Sequence, residues 1–157
     1  MKITSLKEAS FEQQSDREFV IAAVRINGAD LKYASDKLRS DRDVVLSAVR
    51  QNGRSLESAS SELQADRRIV TAAIKKWALG LQYASEDLRD DQDVVLKAVR
   101  RWGIALKFAS DRLRSDRVVV YAATKRNSAA LKYASLPLQT EIGKNRALGT
   151  GAMSLHK

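Results

Sequence analysis

The five residues LKYAS stand at positions 31–35 and again, unchanged, at 131–135, with LESAS at 56, LQYAS at 81 and LKFAS at 106 between them. The spacing is 25 residues throughout. A fixed short period constrains a fold more than composition does, because one unit is too small to bury its own apolar face and must stack on its neighbours. The columns align without a gap. Asp16, Asp41, Asp66, Asp91 and Asp116 share one phase, with Glu141 in the sixth place. Twelve residues on stand Gly28, Gly53, Ala78, Gly103 and Ser128. Leu31, Leu56, Leu81, Leu106 and Leu131 each precede an Ala-Ser pair by three residues, and precede Leu38, Leu63, Leu88, Leu113 and Leu138 by seven. LKEAS at 6–10 keeps the phase. Residues 1–15 therefore read as a half-repeat cap, 16–140 as five tandem repeats, and 141–157 as a closing cap and flexible tail.

Within one unit, Asp41 suits a helix N-cap, since its carboxylate can accept from the open amides of a first turn. Val44, Val45, Ala48 and Val49 then form one stripe of a 3.6-residue period, and Gly53 would supply the left-handed residue with which helices commonly end. Leu56, Ala59 and Leu63 are spaced i, i+3 and i+7, again one helical face. Ser60 interrupts them as a candidate cap, and Pro137, two residues after Ser135, fits a first turn but no helix interior. The spacing predicts a long helix, a second short helix broken near Ala-Ser, and a tight helical turn ending at Leu and Arg. A leucine-rich repeat has a comparable period, but its alternating Leu-x-Leu strand and its Asn ladder are absent. The expected fold class is all-α: a solenoid of helical hairpins, stacked at right angles or gently curved. Leu31 and Ala34 should be buried between rungs. The Tyr33 column, with Glu8, Ser58, Tyr83, Phe108 and Tyr133, should be half exposed.

The pattern D-x-x-V-V-x-x-A-V-x-x-[NW]-G-x-x-L-x-x-A-S-x-x-L resembles the tandem repeats catalogued as domain of unknown function 4116, over about residues 16–140. The resemblance implies the repeat architecture and no particular activity. Ala78 and Ser128 depart from its Gly column, and Gln13 stands where Leu is expected.

Catalytic chemistry finds little to work with. The chain has no Cys, which excludes disulfides and thiolate metal ligands. Its one imidazole, His156, sits on the flexible tail, so no Ser–His–Asp triad is expected. Ser35, Ser60, Ser85, Ser110 and Ser135 recur once per rung, as residues that cap or bond local backbone do. Asp residues one rung apart would stand about 10 Å from each other, too far to share a proton or an ion. No catalytic residue, metal site or cofactor is expected, and the chain does not read as an enzyme. No apolar run approaches the roughly 18 residues of a membrane span, and MKITSLKEAS lacks the apolar stretch of a secretory signal, so a cytoplasmic protein is expected.

Charge is more informative. With 28 Lys and Arg against 19 Asp and Glu the chain carries +9. Residues 16–65 hold eight of each sign, whereas 66–140 hold fifteen basic and eight acidic residues, so the excess sits in the later rungs. Arg25, Arg50, Lys75, Arg100 and Lys125 occupy one phase, and Lys76, Arg101 and Arg126 follow them in the last three rungs. Next comes Asn27, Asn52, Trp77, Trp102 or Asn127. Two readings fit the first basic column. A cation in a helix's last turn offsets the negative end of its dipole by roughly 0.3–1 kcal/mol. A row of cations beside aromatic rings is also what tracks phosphates and stacks bases. Trp77 and Trp102 would either pack on each other or stand exposed. The expected function is a non-catalytic binding or scaffold module for another protein, with nucleic-acid binding as the alternative. The expected partner-binding residues are Lys75, Lys76, Trp77, Arg100, Arg101, Trp102, Lys125 and Arg126. A base-reading code, if any, would fall on the variable columns at 26, 27, 29 and 30.

Overall fold

The computed structural model describes residues 5–147; the tail beyond Ala147, His156 included, lies outside them. The described residues form helices and turns and no strand, arranged in successive rungs of 25 residues. The second rung shows the plan. Asp41 caps the ten-residue helix Arg42–Gln51, accepting from the amides of Asp43 (2.9 Å) and Val44 (3.1 Å). The predicted stripe of Val44, Val45, Ala48 and Val49 is buried. Asn52, in extended backbone, ends this helix and begins the next segment, Gly53–Ser58. Extended Ala59 and Ser60 follow, and Ser61–Gln64 makes a single helical turn before Asp66 starts the third rung. Equivalent long helices run Arg17–Ile26, Arg67–Lys76, Gln92–Arg101 and Arg117–Arg126.

Two expectations are refined. The second segment is a 3-10 helix rather than an α-helix. It ends one residue before the alanine, so Leu56 lies in the 3-10 helix and Ala59 in the extended backbone that follows, and the two do not share a helical face. The glycines are not left-handed caps. None of Gly28, Gly53 and Gly103 has positive φ; each opens a 3-10 segment against the next rung's long helix, where a Cβ would strike the carbonyl oxygen of Ala48, Ala73 or Ala123. Glycine is required there by close backbone approach.

The Ala-Ser pair has its own explanation. Its extended backbone lets the serine amide donate to the preceding rung: Ser35 to Gln14 O, Ser60 to Arg39 O, Ser85 to Gln64 O and Ser110 to Arg89 O at 3.0 Å, and Ser135 to Arg114 O at 2.9 Å. The hydroxyls matter less. Ser85 and Ser110 accept from the amides of Leu88 and Leu113, whereas Ser35 and Ser60 make no capping bond. Leu31, Leu56, Leu81 and Leu106 are fully buried, and the alanines three residues on are nearly so. Each such leucine contributes about 1.5–3 kcal/mol, but only with a neighbouring rung to cover it. Tyr33, Ser58, Tyr83, Phe108 and Tyr133 are half-buried, as expected, whereas Glu8 in the same column is exposed.

At the amino end Leu6 is buried, and its amide donates to the Asp30 carboxylate at 2.9 Å. At the other end the last turn continues as the twelve-residue helix Leu136–Ala147, with Pro137 in its first turn.

Candidate functional site

Basic residues recur at two places along the rungs, after the capping Asp and in the last turn of the long helix, and the two are used differently. Arg17, Arg42, Arg67 and Arg117 directly follow the capping Asp and reach forward to the next rung's cap. Arg17 Nε lies 2.9 Å from Asp41, Arg42 3.1 Å from Asp66, and Arg117 2.6 Å from Glu141, while Arg67 pairs with Asp91. Gln92, in the same column, donates to Asp116 at 3.4 Å. The Asp column thus binds two helices at once, its own amides and the preceding rung's guanidinium. At Asp41 the Arg17 bond, with the Val44 and Asp43 amides, outweighs burial and holds the carboxyl below the usual carboxylate range. At Asp66 and Asp91 burial pushes upward, but the Ile69 or Val94 amide and the Arg42 or Arg67 guanidinium more than reverse it. A reading of single units misses this column, although an Arg after each capping Asp is its visible signal.

The cations of the last turn are placed otherwise. Arg25, Arg50, Lys75, Lys76, Arg100, Arg101 and Lys125 are exposed, and no carboxylate among the described residues pairs with them. Arg126 donates to the carbonyl of Arg101 at 3.2 Å, capping the preceding helix. Lys75, Lys76, Trp77, Arg100, Arg101, Trp102 and Arg126 line one open cleft of about 970 Å³ between the third and fourth rungs; Lys125 does not. Thr71, Ile74, Ala78 and Lys97 complete the lining. A second cleft of about 770 Å³ shares Thr71, Lys75, Lys76 and Lys97 and continues toward Arg50, Arg67 and Arg68. No carboxylate lines either one. Lys97 and Arg68 break their columns: Lys97 replaces Ala22, Ser47, Ala72 and Ala122, and Arg68 stands where Glu18, Asp43 and Asp93 do.

The two tryptophans do not stack on each other. Trp77 packs on Tyr83, ring centres 6.2 Å apart and tilted 35°, and Trp102 is 41% exposed. Of the proposed reading columns, 30 is closed: Asp30, Ser55, Gly80, Ala105 and Ala130 are all buried.

Three matches to the family model described as Domain of unknown function (DUF4116) cover residues 16–64, 66–110 and 91–139. The chain belongs to the DUF4116 family. No curated protein and no solved structure matches it. No helix among the described residues of this DUF4116 protein is long and apolar enough to cross a membrane.

The third and fourth rungs of this DUF4116 protein differ from the others where the long helix meets the 3-10 segment. Asn27, Asn52 and Asn127 each accept an amide of the following 3-10 helix, from Ala29, Arg54 and Ala129. Trp77 and Trp102 occupy that position in the third and fourth rungs and make no capping bond. An indole has no acceptor to offer, so each of these segments loses stabilisation on the order of 1 kcal/mol. Ala78 stands in the third rung where the first, second and fourth have glycine, and Ser128 in the fifth. Locally unfavourable residues concentrated at one place mark a site kept for something other than stability.

Proposed function

We propose that this DUF4116 protein is a non-catalytic binding module that holds single-stranded nucleic acid along the last-turn cations of its later rungs, in a cytoplasmic setting. One observation carries the reading: the first-turn arginines are engaged between rungs, whereas Lys75, Lys76, Arg100 and Arg101, in the last turns of the third and fourth rungs, are unpaired and share an acid-free cleft with two tryptophans. Dipole compensation accounts for one cation per helix end. It accounts neither for the doubled Lys76 and Arg101 nor for an indole in place of a capping asparagine. A phosphate chain needs such a row of cations, and its bases need aromatic faces beside it.

A protein partner is the second reading, favoured by the exposure of Phe11 (80%) in the amino-terminal cap and Leu136 (76%) in the last rung. Such apolar side chains offer contacts that phosphates do not use.

Fluorescence anisotropy of labelled single strands and duplexes across a salt series tests the proposal. Single-strand affinity should fall steeply with salt, and Arg100→Ala with Arg101→Ala should flatten that dependence, each lost phosphate contact removing about 0.7 from the log–log slope. Binding absent at low salt, or indifferent to salt, would leave the protein-partner reading ahead.

A further inference from the structure

We propose that Ala78 wedges the third and fourth rungs apart, and that the resulting cleft admits one unstacked base of a single strand, with flanking phosphates on Lys75, Lys76, Arg100 and Arg101. The inference rests on the nucleic-acid reading and adds where, and by what device, a base is taken.

Gly28, Gly53 and Gly103 let each 3-10 segment press directly against the next long helix, since a Cβ would collide with Ala48, Ala73 or Ala123 carbonyl oxygen. By the same register the buried Ala78 methyl faces the fourth long helix at Ala98. A methyl group there demands room that the other joints do not provide. The room is visible in the packing: the third and fourth long helices are the least closely packed neighbouring pair. The 970 Å³ cleft opens at this joint with Ala78 in its wall. That volume lies within the roughly 300–1,000 Å³ of small-ligand sites. The helix ends are tied across the joint between the first and second rungs and across that between the fourth and fifth. Gln51 donates to Ile26 O at 3.1 Å and accepts from the Gly28 amide at 2.8 Å, and Arg126 donates to Arg101 O. Their counterparts Lys76 and Arg101 make no such bond and remain available to a ligand.

The occupant follows from the lining. Cations without carboxylates select an anionic chain. An indole 41% exposed among them selects one that also carries flat aromatic groups, which a nucleic acid has and an acidic peptide lacks. A base must leave its stack to reach the ring, so a single strand is taken in preference to a duplex.

Ala78→Gly changes no charge and restores the glycine of the first, second and fourth rungs, which makes it the direct test. The probes are oligo(dT), an abasic strand of equal length with the same phosphates, and polyglutamate, against the full chain. Wild type should bind oligo(dT) about tenfold more tightly than the abasic strand, the size expected for one stacked base. Ala78→Gly should remove most of that difference while leaving abasic binding unchanged. Trp102→Ala, at an exposed position, should do the same and guards against a folding defect in the first variant. Equal binding of the two strands by wild type, or a difference that survives both substitutions, would overturn the inference and leave the cation row standing. Polyglutamate competing as well as oligo(dT), and weakened by Ala78→Gly, would overturn it in favour of an acidic peptide. Binding of neither strand would overturn the inference and the proposed function together.

Discussion

Arg42 of the second rung lies 3.1 Å from Asp66, the residue that caps the third rung's long helix through the amides of Arg68 and Ile69. One carboxylate therefore fixes a helix start and the joint before it. The consequence is acid sensitivity. Asp41, Asp66 and Asp91 have folded-state pKa values below those of free carboxylates. Their stabilisation is complete above the unfolded value of about 3.9 and is lost as pH falls through the lower folded values. Urea unfolding should give constant stability from neutral pH down to about 5 and a decline below 4. Arg42→Gln should shallow that decline. At neutral pH it should cost no more than about 1 kcal/mol, since both partners are partly solvated.

The same substitution should have opposite signs at two glycines. Gly103→Ala places a methyl against the Ala123 carbonyl oxygen and should destabilise by about 1–3 kcal/mol. Gly143 lies in the helix Leu136–Ala147 with nothing near its absent Cβ. Gly143→Ala should stabilise by up to about 1 kcal/mol. Thermal unfolding followed by circular dichroism reads both.

Trp102→Asn should restore the cap that Asn52 and Asn127 provide in their own rungs. The variant should be more stable by about 0.5–1 kcal/mol and should bind single-stranded DNA more weakly. Gain in melting temperature with unchanged binding would remove Trp102 from the site. Loss of stability would show that its ring packs more than it caps.

Asp30 is buried and accepts from Ser5 Oγ (3.0 Å), the Leu6 amide (2.9 Å) and Asn27 Nδ2 (2.7 Å). Asp30→Ala leaves those donors without their acceptor and should cost about 1–3 kcal/mol. The loss should be local: the Leu6 amide should exchange faster with solvent while amides of the fourth rung are unaffected.

What a sequence exposes here is whatever recurs. Asp41, Val44, Leu56 and Ala59 stand for columns whose environment is the same in every rung, so the capping, the buried stripe and the all-α rung follow from the 25-residue period alone. Gly53 was legible as special, but not as the site of a collision with Ala73 O, because that contact joins residues 20 apart across a joint. The Ser60 column was legible as backbone-bonding, while its partner, the carbonyl of Arg39 in the preceding rung, was not. The cleft is the least legible part. Lys75, Trp77, Arg100 and Trp102 are conspicuous in the chain, yet Thr71 and Lys97 join them only because adjacent long helices lie side by side.

The central claim is that equivalent rungs share one continuous core, so that removing a whole rung leaves the rest in register. Deleting residues 41–65 joins Ser40 to Asp66 and brings the Arg39 carbonyl to the Ser85 amide in place of that of Gln64. Thermal unfolding of this shortened chain, followed by circular dichroism, should show a helical protein with one cooperative transition at a lower temperature than the full chain. A chain that is unfolded or non-cooperative after this in-phase deletion would contradict the account.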